Sequence, residues 1–217
     1  MTHEQAVARI QALYAKTGSK IPRVDQITPS SLVTGTALVN GSNQITFLVN
    51  KGEKTALSYE NLIDKTDAFA ITHFGMMITN EIVASPGKAP LVTYGNIIQF
   101  PASDTGLVAA DLEQLYNAQL NIQVGQSVVL QAFPTHNFRA VRTTQQSAAT
   151  NFSEQLQADG FSVADPMFIL DGSQKNQVTV NRPAYAGEGV QLTTTTTKIV
   201  KAIFFCQGYV IAGGARN

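Results

Sequence analysis

The stretch Leu32-Val33-Thr34-Gly35-Thr36-Ala37-Leu38-Val39-Asn40-Gly41-Ser42-Asn43-Gln44-Ile45-Thr46-Phe47-Leu48-Val49 decides the reading of this chain. Apolar and polar residues alternate on both sides of Asn40-Gly41, the side-chain period of a half-buried strand. Asn and Gly tolerate positive φ, so their pairing between two such runs predicts a hairpin. From Ser31 onward the period stays near two. Thr55 to Tyr59 reads as a third run. Asp67 to Val83 is a long apolar stretch, and the Gly75 inside it predicts one bent strand or two successive ones.

The loop Ser85-Pro86-Gly87-Lys88-Ala89-Pro90 breaks the pattern, and Leu91 to Phe100 resumes it up to Pro101. A short helix is expected over Leu107 to Asn117, with Leu112, Leu115 and Tyr116 inward. Gln119 to Val124 and Ser127 to Phe133 read as strands turning at Gly125-Gln126. Asn151 and Glu154 read as the cap of one or two helical turns ending at Gly160. Pro166 to Leu170 and Gln177 to Asn181 flank Asp171-Gly172, a second hairpin-type turn. Val190 to Thr197 and Ile199 to Ile211 close the β pattern, because five consecutive threonines suit a pleated surface.

The first residues differ. Thr2 and Gln5 have the spacing of a capping box, and Ala6, Val7, Ile10, Leu13 and Tyr14 share one helical face. Gly18 reads as the C-terminal stop. That apolar stripe must be covered, by the chain's own domain or by a neighbouring subunit. With no Pro/Gly/Ser linker and no internal repeat, the expected organisation is an N-terminal amphipathic helix or arm (1–20) and one β domain (21–217). About ten strands without a βαβ rhythm predict a mainly β, antiparallel sandwich or barrel.

Composition narrows the function. Fifteen basic and fifteen acidic residues give zero formal net charge over 217 residues. This argues against a binder that neutralises many phosphates and against a polybasic membrane anchor. Charged residues are only 14%, and Thr, Gln, Asn and Ser supply 65 positions instead. Neutral amides and hydroxyls lose less on burial than Lys or Glu, which are depleted at interface centres. Zero net charge also removes the self-repulsion that keeps monomers apart. No apolar run approaches the roughly 18 residues that span a bilayer. The start of the chain lacks a signal-peptide pattern, so a soluble product of the cytoplasm is expected.

The search for chemistry is negative. His3-Glu4 lacks the second histidine of a zincin helix, because position 7 is Val7. His73 lies in an apolar run, where a satisfied sheet histidine is commoner than a ligand. Cys206, the only cysteine, follows Phe204-Phe205 and reads as a small hydrophobe rather than a nucleophile. Arg139 and Arg142 suit an ion pair or an anion. There is no nucleophile elbow, phosphate loop or dinucleotide fingerprint, and no cofactor or metal is expected.

A resemblance bears on the whole. Leu91-Val92-Thr93-Tyr94-Gly95-Asn96-Ile97-Ile98-Gln99-Phe100-Pro101 precedes a short helix with Leu112-Glu113-Gln114-Leu115-Tyr116-Asn117. Leu120 to Val124 and a strand entering Phe138-Arg139-Ala140-Val141 follow. This order resembles major capsid or other shell proteins of small tailless icosahedral bacteriophages, over about a fifth of the chain. The resemblance implies a jelly roll of eight main strands in two sheets, homo-oligomeric packing in a virion, and no catalytic residues. The leading expectation is therefore a virion shell or vertex subunit that binds copies of itself and other virion proteins. Its expected interface residues are Val7, Ile10, Leu13 and Tyr14, with Thr193, Thr195 and Thr197 as an edge strand. The alternative is a glycan- or small-ligand-binding β-sandwich using Tyr94, Asn96, His136 and Asn137. A third reading, a hydrolase, would use His136 with Asp104 or Asp165.

Overall fold

The computed structural model describes residues 2–39, 42–53, 55, 57–94, 112–140, 160–182 and 197–215. Among these residues a helix, α1 (His3–Lys16), precedes eight strands: β1 (Ile27–Ala37), β2 (Gln44–Leu48), β3 (Ala68–Ile82), β4 (Gln119–Val124), β5 (Ser127–Pro134), β6 (Phe161–Asp171), β7 (Asn176–Asn181) and β8 (Lys198–Ile211). They form two four-stranded antiparallel sheets with orders β1-β8-β3-β6 and β2-β7-β4-β5. The pairs β1 with β8, β2 with β7, β3 with β6 and β4 with β5 nest inside one another, first strand with last.

The two sheets share one core. Leu32, Phe69, Ile71, Phe74, Met76, Ile78, Val200, Ala202, Phe204 and Cys206 line the first, and Ile45, Phe47, Leu120, Ile122, Val178 and Val180 line the second. Phe47 and Phe204 meet across the interior with ring centroids 5.7 Å apart. Each such large side chain contributes about 1.5–3 kcal/mol by leaving water.

Two of the expected hairpins are corrected. The runs flanking Asn40-Gly41 enter different sheets: β1 pairs with β8 over Ile27–Ala37, and β2 pairs with β7. Turn chemistry specifies a reversal of direction; the partner is chosen by longer-range pairing, and β8 offers β1 eleven residues in register. Asn40 and Gly41 themselves lie outside the described residues. β1 and β2 still meet, through side chains: Thr34 donates to the Leu48 carbonyl at 2.8 Å and Thr36 to the Thr46 carbonyl at 2.9 Å. At Asp171-Gly172 the chain likewise passes from β6 in one sheet to β7 in the other. That crossing is pinned by Asn50, whose amide donates to the Gly172 and Gln174 carbonyls while its oxygen accepts from the Asn176 backbone and side chain. The third hairpin, β4–β5, forms as expected around Gly125 at φ +58°.

The stretch Asp67 to Val83 is one 15-residue strand, β3, whose register shifts between Ile71 and His73. Gly75 answers close packing rather than a break: a Cβ there would stand 2.5 Å from the Gly160 carbonyl oxygen. Thr55 to Tyr59 is no strand where it is described. Leu57–Glu60 is a turn, held by the Leu57 N–H donating to the Glu60 carboxylate at 2.8 Å. Of the run Leu91 to Phe100, Val92 makes a single bridge to Ile78 and residues 95–100 lie outside the described residues. The expected helix is described from Leu112 onward and tightens into a 3-10 turn at Gln114–Asn117, with Leu112, Leu115 and Tyr116 buried. The helical turns expected at 151–160 lie outside the described residues, apart from Gly160.

α1 opens with its capping box intact: the Thr2 N–H donates to Gln5 Oε1 and the Gln5 N–H to Thr2 Oγ1. Its Val7, Ile10 and Tyr14 pack on Ile27, Ala68, Ala70, Met167 and Ile211, on the side of the first sheet away from the shared core.

Candidate functional site

The two lateral edges of the sheets are treated differently. On the β1–β2 side, the segment Glu60 to Ile63 runs from β1 to the chain just beyond β2. Val33 and Asn61 exchange backbone hydrogen bonds at 3.1 and 3.0 Å. The Gly35 N–H donates to Glu60 Oε1 at 2.7 Å, and the Asn61 amide donates to the Ser31 carbonyl. Further along, the Ile63 N–H donates to Val49 and the Lys51 N–H to Ile63, at 2.9 and 2.8 Å. Backbone groups of Ser31, Val33 and Gly35 on β1, and of Val49 and Lys51 just beyond β2, are thereby engaged within the chain.

On the opposite side, among the described residues, no segment pairs with the outer edges. β5 and β6 terminate the two sheet orders, and among the described residues β4 and β3 are their only strand partners. Phe133 of β5 and Phe168 of β6 both pack on Phe74, so the two edges are neighbours. The β5 sequence, Ser-Val-Val-Leu-Gln-Ala-Phe-Pro, carries no charge. Val128 of β5 is 57% exposed and Val163 of β6 65% exposed, and Val129, next to Val128 in β5, is also exposed. Local irregularity limits the edge: Ala132 has φ +52°, and its N–H turns to Asn121 Oδ1 at 2.8 Å.

The structure places the expected interface residues as follows. Val7, Ile10 and Tyr14 are buried against the chain's own sheet, with Leu13 half-buried beside them. The Tyr14 hydroxyl donates to the Gly214 carbonyl at 2.6 Å. Thr193 and Thr195 lie outside the described residues. Thr197 is exposed, and its carbonyl accepts from the Val83 N–H at 3.0 Å.

The residues of the other readings are placed as follows. His136 and Asn137 are exposed on the 3-10 turn Thr135–Phe138. Tyr94 is half-buried, and Asn96 and Asp104 lie outside the described residues. Asp165 is exposed on β6. His73 is half-buried, with Nδ1 3.1 Å from the Thr72 hydroxyl. Arg139 pairs with Glu113 at 2.6 Å, while Arg142 lies outside the described residues. Cys206 is wholly buried, and that burial pushes its thiol well above the usual range. Among the described residues no three His, Cys, Asp or Glu side chains gather as metal ligands, and no helix is long and apolar enough to cross a membrane.

Two features escape sequence reasoning. Glu81 and Lys201 lie diagonally across adjacent strands (β3, β8), whose register sets Thr79 opposite Lys201, and form a nearly buried ion pair at 2.6 Å. Tyr59 lies over it and donates to the other Glu81 oxygen at 2.6 Å. The Lys201 ammonium also sits 5.9 Å from the Tyr59 ring centroid, a cation–π contact. Burial, then the hydrogen bond to Glu81, raises the Tyr59 hydroxyl far above the ordinary phenol range. The second is Arg182, buried at the end of β7. Both depend on pairings more than 100 residues apart, which no local pattern signals.

Comparison of the chain with protein-family models, with curated proteins and with solved structures finds no match.

Proposed function

We propose that this chain is a jelly-roll shell subunit of a virion, non-catalytic, that assembles with copies of itself through the open β5–β6 edge. The observation that carries the reading is the nested pairing of β1 with β8, β2 with β7, β3 with β6 and β4 with β5. A ribbon of eight strands doubled back on itself and rolled into two sheets has this connectivity, and double-sheet jelly rolls recur in viral capsid domains. A fold alone does not assign a function. The shell reading gains its remaining support from the surface: zero net charge, a polar complement of neutral side chains, and an uncharged edge strand with exposed valines beside it. The resemblance to shell proteins of tailless bacteriophages points the same way.

Light scattering of the purified chain across a concentration series, with negative-stain imaging of early-eluting material, tests this. Trimers, pentamers or closed particles are the expected result. A strict monomer at high concentration rejects the reading and directs attention to sugars at the exposed His136 and Asn137.

A further inference from the structure

Arg182 follows β7, and its N–H donates to the Asn43 carbonyl at 2.8 Å, extending the β2–β7 pairing. Only 9% of the residue is exposed. Its guanidinium donates to the Ser42 carbonyl, and among the described residues no carboxylate lies within ion-pair distance. A guanidinium carries five N–H donors, so one carbonyl leaves most of them without a partner among the described residues, on a side chain that is itself only partly withdrawn from water. A charge held in this way is costly unless an anion completes it. Burial lowers its proton affinity accordingly.

The side chain forms one wall of a cavity of about 220 Å³, shared with Thr36, Leu38, Gln44, Thr46 and Leu115. That space is several times the roughly 30 Å³ of one water. Other polar groups of the wall are engaged: the Thr36 hydroxyl with the Thr46 carbonyl, the Gln44 amide with Asn181, the Ser42 hydroxyl with the Gln44 carbonyl. Among the described residues of the wall the guanidinium is the one cation, and Leu38 and Leu115 give the cavity an apolar lining.

We propose that this cavity is a carboxylate-binding site in which Arg182 forms the forked pair with both acid oxygens, while the leucines receive the short alkyl part. A small organic acid and an Asp or Glu side chain of a second copy present the same chemistry. The inference does not depend on the shell reading.

The test is thermal unfolding and sedimentation of the full chain with acetate titrated against chloride at constant ionic strength, and acetamide as the uncharged control. A free acid is the natural ligand if acetate raises the Tm saturably where acetamide does not. A second copy supplies the carboxylate if acetate instead dissociates a concentration-dependent oligomer. In either case Arg182→Gln abolishes the acetate effect and Arg182→Lys, charged but unforked, weakens it. The proposal is overturned if acetate and acetamide act alike on the wild-type chain in both measurements. It is equally overturned if a folded Arg182→Gln chain responds to acetate as the wild type does. The wild-type comparison needs no variant, so a misfolded substitution does not shield the proposal.

Discussion

Tyr14 and Gly214 stand 200 positions apart and share a 2.6 Å hydrogen bond, the phenol donating to the glycine carbonyl. The contact ties the first helix to the end of the last strand, so α1 behaves as a cover for the first sheet. Tyr14→Phe leaves that carbonyl without this donor and is expected to cost about 1–3 kcal/mol. Removing residues 1–20 uncovers Ile27, Ala68, Ala70, Met167 and Ile211. The truncated chain should lose several degrees of Tm and bind a hydrophobic dye. An unchanged melting curve would show that the helix contributes nothing to the fold.

The Glu81–Lys201 pair predicts a non-additive double-mutant cycle. Lys201→Met alone strands a buried carboxylate and should destabilise by about 3–5 kcal/mol, whereas replacing both residues with apolar ones restores much of that loss. Chemical denaturation of the two single variants and the double variant measures this. Additive costs would mean the two charges do not interact.

Tyr59 gives the pair an alkaline signature. Its proton is held in the folded state above the unfolded value of 10.0, by burial first and by the bond to Glu81 second. Above about pH 10 the folded chain therefore binds more protons than the unfolded one, and stability falls as pH rises. Tyr116, also raised by burial, contributes in the same direction. Tyr59→Phe should reduce the alkaline slope of stability without abolishing it. An identical slope in that variant would contradict the assignment.

Gly75 predicts a steric penalty. The Cβ of Gly75→Ala would meet the Gly160 carbonyl oxygen at 2.5 Å, backbone that cannot rotate away. The expected cost is about 1–3 kcal/mol by denaturant titration. A neutral substitution would show that β3 and the start of β6 pack more loosely than described.

How much of this was legible beforehand follows the range of each interaction. The capping box of Thr2 and Gln5, the β4–β5 hairpin and the β8 run are written in neighbouring residues, and the structure has all three. The turns at Asn40-Gly41 and Asp171-Gly172 were legible only as reversals, because the choice between a hairpin and a sheet crossing lies in β8 and β2, far along the chain. Thr55 to Tyr59 alternates like a strand, but Glu60 caps it as a turn. Of the candidate site, neutral composition pointed toward interfaces. It did not point to β5 and β6, whose places at the ends of the two sheets are set by pairings between distant segments.

The open edge is the centre of this reading, and Val128, 57% exposed on β5, is its most direct probe. A lysine on an edge strand opposes pairing with a second chain while leaving an exposed position's stability nearly unchanged. Sedimentation velocity of wild type and Val128→Lys over the same concentration series compares the two directly. Oligomers in the wild type that disappear in Val128→Lys, with the Tm preserved, are the predicted result. Equal sedimentation of the two chains, whether both assemble or both remain monomers, would contradict assembly through the β5–β6 edge.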